Sequence, residues 1–181
     1  LFIGREPRRV FGMGSTRMNA SITVQYDDGS LATITMSGTG TLDYPKELFE
    51  IAYQGAIIVV DHEMEVRVRG IEGEPFRRNY PSPDSRVKTK KEGIEGFYES
   101  CQQTIDERLR TGDHEIFIGQ PNKGHYEHMD QFAMCVRGLA ESPCDALEGA
   151  KATVVSLKAI ESIRLGLPVS IGNEEYNILA L

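Results

Sequence analysis

An alternating segment followed by a tight-turn dipeptide constrains the fold more than any other feature of this sequence. Residues 19–27 place apolar and polar side chains at alternate positions, which predicts a β-strand. Asp28-Gly29 follows and favours a two-residue type I′ hairpin turn, because both positions accept positive φ. A return strand is expected over residues 30–37, with Val24 opposite Thr33. Neither face of this hairpin is then wholly polar, so both faces of its sheet are expected to be covered.

Strand signals fill the first two-fifths of the chain and helical signals fill the rest. Because strands and helices do not alternate, the sequence predicts an α+β fold. This fold is an open, largely antiparallel (or mixed) sheet of about six strands, with helices packed on one face. The further strands are expected at 7–17, 48–54, 56–61 and 64–69, with a short edge strand near Phe76, and the helices at 94–109, 129–136 and 145–166. Asp61-His62-Glu63, between two of these strands, is interpreted as a solvated turn.

Size and charge limit the partners of the chain. With 181 residues, 40% of them hydrophobic, the chain is expected to form one soluble globular domain over residues 1–181. The formal net charge of −7 argues against nucleic acid as a partner, because a nucleic-acid groove needs a basic surface. The longest apolar run, Ala56–Val60, is far shorter than the roughly 20 residues of a membrane span. We therefore expect neither nucleic acid nor a membrane as a partner.

The cysteines indicate a reducing compartment. Cys101, Cys135 and Cys144 form an odd, widely spaced set without a C-x-x-C pair, which argues against a disulfide framework and a zinc ribbon. Cys101 and Cys135 fall on apolar helical stripes and are interpreted as structural. The predicted location is the cytoplasm.

A glycine pair near the start has two interpretations. Gly12-Met13-Gly14-Ser15-Thr16-Arg17 resembles the start of a dinucleotide-binding loop, but Arg17 stands where the third glycine is needed. The alternating strand follows where a helix should begin and receive the pyrophosphate. Gly12 and Gly14 are therefore expected to be twist or bulge points in a strand.

A polar cluster at the start of the second helix is the main candidate site. In His125-Tyr126-Glu127-His128-Met129-Asp130, the two histidines are three residues apart and share a helix face. They could bind a metal with His114 or Asp130 as third ligand, but no fixed spacing supplies that ligand, and no metal is expected. The cluster could also be an ordinary polar helix start. The third alternative is a substrate-lining cluster, where the helix dipole and the imidazoles suit hydroxyl or carboxylate groups.

The order of several segments resembles one enzyme family. Asp28–Thr39 resembles the central hairpin of the C-terminal domain of the glucose-fructose oxidoreductase, inositol dehydrogenase and MocA family. Lys46–Ile51 and Gly55–Asp61 resemble the next strand pair of that domain. Met129–Arg137 resembles its penultimate helix, and Ser142–Ile163 its last helix. The similarity covers nearly the whole chain in the family's order.

The resemblance implies that part of the enzyme lies outside this chain. In the family, an N-terminal Rossmann domain binds NAD or NADP and carries a catalytic lysine in a Glu-Lys-Pro motif. A following helix carries a histidine and an aspartate as H-x-x-D. This chain has none of these motifs, so no catalytic or cofactor-binding residue is assigned and no cofactor is expected in the chain itself. Leu1–Gly4 resembles the residues just after the H-x-x-D helix and begins without Met, as expected for a piece of a longer protein.

The implied function is the C-terminal substrate-binding and oligomerisation part of an NAD(P)-dependent oxidoreductase acting on a sugar, cyclitol or related polyol. Its expected partners are that small substrate, the absent Rossmann domain with its NAD or NADP, and further copies of the chain bound through the sheet. Asn122 could cap the second helix. The predicted substrate-binding residues are Lys123, His125, Tyr126 and His128. The alternative is a stand-alone, non-catalytic binding or scaffolding module with the same sheet, so whether the chain is part of an enzyme stays open.

Overall fold

A computed structural model describes residues 4–41, 44–81, 88–116, 124–142 and 144–176. The elements are β1 (Pro7–Gly14), β2 (Asn19–Tyr26), β3 (Leu31–Ser37), β4 (Leu48–Tyr53), β5 (Ala56–Asp61), β6 (Glu65–Arg69), β7 (Arg77–Asn79), α1 (Gly93–Thr111), α2 (His125–Val136), α3 (Ala146–Leu165) and β8 (Val169–Ser170), followed by a 3₁₀ turn at Asn173–Tyr176. The α+β class is confirmed, and β1 to β7 precede the helices as expected, whereas β8 follows α3. Within the described residues, no helix is both long enough and apolar enough to cross a bilayer.

The strands form two antiparallel sheets rather than one. The first sheet has the order β3-β2-β1-β8 and the second β4-β5-β6-β7. About six strands and a short edge strand near Phe76 were expected; β7 matches that edge strand, and the two-residue β8 is additional. The chain divides into two compact units: unit 1 comprises Leu1–Gly40 and Gln131–Leu181, and unit 2 comprises Thr41–Asp130.

The β2–β3 hairpin forms as predicted, but its register is one residue from the prediction. Val24 lies opposite Ala32 and not opposite Thr33. The Tyr26 N–H donates to the Ser30 carbonyl oxygen at 3.0 Å, so the ladder closes beyond residue 29. A two-residue turn is therefore replaced by a three-residue one.

Local side-chain chemistry explains the wider turn. The Asp28 carboxylate accepts hydrogen bonds from the backbone N–H and the hydroxyl of Ser30, at 3.0 and 2.6 Å. Gly29 takes a φ of +86° at the end of the turn, a conformation that costs glycine little. Three-residue hairpins commonly combine such a turn with a left-handed glycine. Asp-Gly thus marks the hairpin without fixing the loop length.

Unit 1 is held together by α3 packed on the first sheet. Val10, Val24, Ala159, Ile171 and Tyr176 form its buried cluster. The helix starts at an N-cap aspartate whose side chain accepts from the backbone N–H three residues on, and it ends at a left-handed glycine. Both boundaries match the predicted range of 145–166, because capping signals are local.

The glycine pair in β1 permits close packing and a tight turn. A Cβ on Gly12 would lie 2.7 Å from Ile163 Cγ1 and 3.0 Å from the Ala159 carbonyl oxygen, both on α3. Gly14 has a φ of +104°, and a Cβ there would lie 2.3 Å from the Asn19 carbonyl oxygen. Both glycines belong to a strand that turns directly into β2, which confirms their interpretation as strand glycines.

In unit 2, α1 packs against the second of the two sheets, β4-β5-β6-β7. Met64, Phe97 and Cys101 form the buried cluster, and the half-buried Ile94 packs against it. The helix ends at Gly112, whose φ is +72° and whose N–H donates to the Arg108 carbonyl oxygen at 2.8 Å. The structural interpretation of Cys101 agrees with its burial, whereas Cys135 of α2 is only half-buried.

The turn between β5 and β6 is not the solvated turn that was expected. His62 is only 2% exposed, and its ring meets the Phe97 ring edge-on, with 4.3 Å between the centroids. His62 and Glu63 have φ values of 50° and 54°, and the Met64 N–H donates to the Asp61 carbonyl oxygen at 3.0 Å. The interpretation was wrong because this tight turn directs the imidazole onto α1, a contact with a residue far along the chain.

Candidate functional site

The predicted substrate cluster lies on the first turn of α2. Gly124 precedes the helix with a φ of +71°, and its carbonyl oxygen accepts from the His128 N–H at 2.8 Å. His125 and His128 lie on one face, whereas Tyr126 is about 100° around the helix from His125. Lys123 and Asn122 lie outside the described residues. The structure thus brings two of the four predicted residues together and places a third beside them.

The helix that carries this cluster is exposed along its length, with only Cys135 half-buried. None of the residues of α2, all of which are described, is buried, and Tyr126 is 85% exposed. His125 and His128 continue into an apolar stripe formed by Met129, Phe132 and Val136, since these positions follow the 3.6-residue period. Imidazoles next to apolar side chains can donate and accept hydrogen bonds while covering the carbon skeleton of a ligand. The first turn also offers the positive end of the helix dipole.

A metal at this cluster gains no support. Among the residues described, no group of three or more histidine, cysteine, aspartate or glutamate side chains is placed to hold a metal ion. His114 lies in a turn that follows α1. The two imidazoles of α2 are therefore considered as hydrogen-bonding groups.

Unit 2 contains a buried ionic cluster that the sequence reasoning missed. Glu65 is 3% exposed and its carboxylate pairs with the guanidinium of Arg77 and, at 3.6 Å, with that of Arg67. Arg67 also reaches Asp61 at 3.4 Å. A sequence signal for this cluster was available, because β6 carries a charged residue at every second position and these side chains share one face of the strand: Glu65, Arg67 and Arg69. Because a buried carboxylate needs such partners, the cluster joins β5, β6 and β7, and we assign it to structure.

Aromatic contacts surround the same strands. The Arg69 guanidinium lies 3.9 Å from the centroid of the Phe76 ring, a cation–π contact. The Tyr44 and Tyr98 rings lie 6.4 Å apart. Burial and the neighbouring Tyr44 and Asp61 raise the pKa of Tyr98.

The largest pKa shifts in unit 1 mark contacts between the strands, α3 and the C-terminal segment. Hydrogen bonds from Lys151 Nζ to Glu6 at 2.8 Å and to Glu148 at 3.0 Å raise the pKa of that lysine. Burial raises the pKa of Tyr176 to about 12, and its hydroxyl donates to the Pro7 carbonyl oxygen at 2.9 Å. These groups hold elements together, and we assign them no chemistry.

Similar proteins were found among solved structures alone. No protein-family model matches the sequence, and no curated protein matches it. An oxidoreductase structure from Thermotoga maritima is similar over 93% of this chain, with a TM-score of 0.57 and 15% identity. The chain has the fold of an oxidoreductase domain. The expected resemblance is confirmed for the fold, which is all that 15% identity shows.

Two further structures with this oxidoreductase fold contain bound cofactors. One is the WlbA dehydrogenase from Chromobacterium violaceum, in complex with NADH and UDP-GlcNAcA, with a TM-score of 0.52, 14% identity and 93% of this chain covered. The other is an oxidoreductase from Agrobacterium radiobacter in complex with NAD⁺, L-tartaric acid and magnesium, with a TM-score of 0.51, 17% identity and 93% of this chain covered. The chain spans only 42%, 41% and 44% of the length of these three proteins, in the order given.

Proposed function

We propose that this chain is the substrate-binding and oligomerisation part of an NAD(P)-dependent oxidoreductase acting on a sugar, cyclitol or related polyol. The observation that carries the proposal is the unequal coverage: 93% of this chain matches, but only 41% of the WlbA dehydrogenase and 44% of the Agrobacterium radiobacter oxidoreductase. A separate Rossmann domain, as the sequence resemblance implies, would account for the remaining length. The proposed compartment is the cytoplasm.

The described residues do not fit NAD or NADP. The one glycine pair that resembles a dinucleotide loop packs against α3 through Gly12, and Gly14 leads into β2. No helix N-terminus follows these glycines to receive a pyrophosphate. The proposal therefore assigns the dinucleotide and the hydride transfer to the separate domain, and this chain contributes substrate binding.

The substrate-binding role is assigned to the first turn of α2. His125 and His128 offer hydrogen-bond donors and acceptors at the end of an exposed apolar stripe, and Tyr126 adds a phenol. A polyol needs such groups to fix one carbon in position for hydride transfer, while its C–H face can lie against apolar side chains. Lys123, just before the helix, is proposed to add an ammonium group to the same site.

The oligomerisation role is assigned to the sheet that carries the β2–β3 hairpin. Leu31 is 63% exposed, and Ile34 and Met36 are each 49% exposed. These side chains lie on both faces of β3, since alternate residues of a strand point to opposite sides. Exposed apolar side chains on both faces of one strand support self-association through this sheet.

The test uses the chain together with its own upstream coding sequence. We expect the longer protein to bind NADH and to oxidise a polyol from a panel of sugars and cyclitols, whereas the 181-residue chain alone does neither. Saturable NADH binding by the 181-residue chain in calorimetry would contradict the assignment of dinucleotide binding to a separate domain. An upstream sequence without a G-x-G-x-x-G strand–helix unit would favour the scaffolding alternative.

The site assignment is tested with two matched histidine variants of the longer protein. His125→Ala should raise the KM for the polyol several-fold, because the substrate loses a hydrogen-bond partner, with a stability change within about 0.5 kcal/mol for an exposed side chain. His114→Ala, at an exposed position in a turn after α1, should leave both quantities unchanged. If His125→Ala keeps the KM and lowers the melting temperature, His125 is structural and the assignment is wrong.

A further inference from the structure

The first strand of unit 1 begins with an irregularity. Pro7 lies opposite Tyr26 and Arg9 lies opposite Gln25, so Arg8 is one residue more than the partner strand can match. Such an extra residue is a β-bulge, which bends the strand and interrupts the ladder. A buried carbonyl oxygen that loses its ladder donor destabilises the fold unless another group replaces that donor. The start of β1 therefore needs hydrogen-bond donors from outside the β1–β2 ladder.

The C-terminal segment, defined here as residues 169–176, supplies these donors. The Tyr176 hydroxyl donates to the carbonyl oxygen of Pro7, which is buried, at 2.9 Å. The Ile171 N–H donates to the Arg8 carbonyl oxygen at 2.8 Å. The bulge and the C-terminal segment therefore depend on each other.

The C-terminal segment is itself fixed in unit 1. Ile171 is 3% exposed and Tyr176 is 7% exposed, and both belong to the buried cluster of this unit. Between them, Glu175 forms an ion pair with Lys158 of α3 at 3.0 Å. The donors that reach the start of β1 thus come from a segment anchored on the core and on α3.

The residue before Pro7 is held as well. The Glu6 carboxylate accepts from Lys151 Nζ of α3 at 2.8 Å, and the Glu6 carbonyl oxygen accepts from the Asp27 N–H at 3.0 Å. The carbonyl oxygens of three consecutive residues, 6, 7 and 8, are therefore bonded to three different places in unit 1. These places are the β2–β3 turn, the 3₁₀ turn and the residue that follows β8.

We propose that residues 169–176 act as a clamp that fixes the direction in which the chain enters β1, and that this clamp holds a preceding domain in one orientation. The inference rests on the proposed function, in which a dinucleotide-binding domain is joined to this chain through its first residues. The five residues before Glu6 span at most about 18 Å, so a fixed Glu6 limits the freedom of whatever is joined to them. Hydride transfer requires the dinucleotide and the polyol in one geometry, which such a joint would help to maintain.

Hydrogen exchange of the 181-residue chain tests the clamp itself. The double variant Lys151→Met/Tyr176→Phe removes the side-chain hydrogen bonds to residues 6 and 7 and keeps the apolar part of both side chains. The amides of Asp27 and Ile171 bond to the neighbouring carbonyl oxygens. Relative to the slowest amides of unit 1, these two amides should exchange at least about tenfold faster in the double variant.

The matched control is Ser162→Ala in the same unit. Its hydroxyl accepts from the Gly12 N–H and donates to the Leu167 carbonyl oxygen, at 2.9 and 2.6 Å, and it bonds to none of residues 6–8. The control should also lower the melting temperature, because it loses two hydrogen bonds. It should leave the relative exchange of the two reporter amides unchanged, so loss of stability and loss of the clamp are separated.

Small-angle X-ray scattering of the longer protein tests what the clamp holds. Wild type and Ser162→Ala should each fit a single arrangement, whereas Lys151→Met/Tyr176→Phe should show a larger radius of gyration and a spread of arrangements. Unchanged amide exchange in the double variant would overturn the clamp. Faster exchange with unchanged scattering would overturn its role in holding the preceding domain. A longer protein that shows both expected changes but does not bind NADH would support the clamp and contradict the proposed function.

Discussion

The two units of this chain hold a helix against a sheet in opposite ways. In unit 1, α3 approaches β1 through small residues: Gly12 N–H donates to Ser162 Oγ at 2.9 Å, and Ala159 lies beside them. In unit 2, α1 is anchored by a large side chain, Phe97, which packs on His62 and belongs to the same cluster as Met64. The contact in unit 1 requires small residues that let the helix approach the strand, whereas the contact in unit 2 requires the volume of the Phe97 side chain. Substitutions that add or remove volume should therefore have opposite consequences in the two units.

The units also differ in how they bury polar groups. In unit 1, the buried polar side chains Ser162 and Tyr176 are neutral and donate to the carbonyl oxygens of Leu167 and Pro7. In unit 2, the buried hydroxyls of Ser100 and Thr104 also donate to backbone carbonyl oxygens. Unit 2 differs in that it additionally buries the Glu65 carboxylate between guanidinium groups. A neutral hydroxyl costs less to bury than a charge.

The largest effect is expected from removing the anchor of unit 2. Phe97 is 1% exposed, so Phe97→Ala should destabilise the protein by about 3–5 kcal/mol through lost burial and a cavity. Phe97→Leu fills most of the space and should cost less than about 1.5 kcal/mol. Urea unfolding followed by circular dichroism measures both. Equal losses for the two variants would show that the contact depends on the aromatic ring and not on its volume.

Adding volume should damage unit 1 instead. Gly12→Ala places a Cβ against Ile163 and the Ala159 backbone, and overpacking of this kind costs about 1–3 kcal/mol. The matched control is Gly149→Ala on α3, where a Cβ would meet nothing within 4 Å. That variant should stabilise by about 0.5–1 kcal/mol through helix propensity. If Gly12→Ala proved neutral in thermal unfolding, the close approach of α3 to β1 would not hold in solution.

Local signals made much of this fold predictable. The strand positions, the helix stripes and the caps of α3 depend on residues within one or two turns of each other. The register of the β2–β3 hairpin was missed because the Asp28 side chain bonds to Ser30, which favours a longer turn than the dipeptide alone indicates. The buried His62 was missed because its partner, Phe97, lies on a distant helix.

The candidate site could likewise be predicted from the sequence only where local spacing determines it. The start of α2 was located from spacing, and the clustering of His125 with His128 follows from one helical turn. Which surface the helix faces depends on tertiary contacts that periodicity does not contain, so the exposure of the whole stripe could not be predicted. The ionic cluster around Glu65 needs the register of β7 with β6, which the segment that joins these two strands does not specify.

The smallest expected effect at neutral pH tests the neutral polar contacts of unit 1. Tyr176→Phe removes the hydrogen bond to Pro7 and should cost about 1 kcal/mol at pH 7. The variant also makes a pH prediction. Burial raises the pKa of Tyr176 from 10.0 to about 12, because the folded state disfavours the phenolate. The stability that this tyrosine contributes is therefore complete below pH 10 and is lost as the pH rises through 12.

Between pH 9 and pH 12, the free energy of unfolding should therefore fall by about 2 kcal/mol more in the wild-type protein than in Tyr176→Phe, after a discount for solvent screening. The other ionisable groups are common to both proteins, so their contributions cancel in the difference. Urea midpoints at matched ionic strength across this range give the comparison. Two parallel stability curves would show that the Tyr176 hydroxyl is solvated in the folded state.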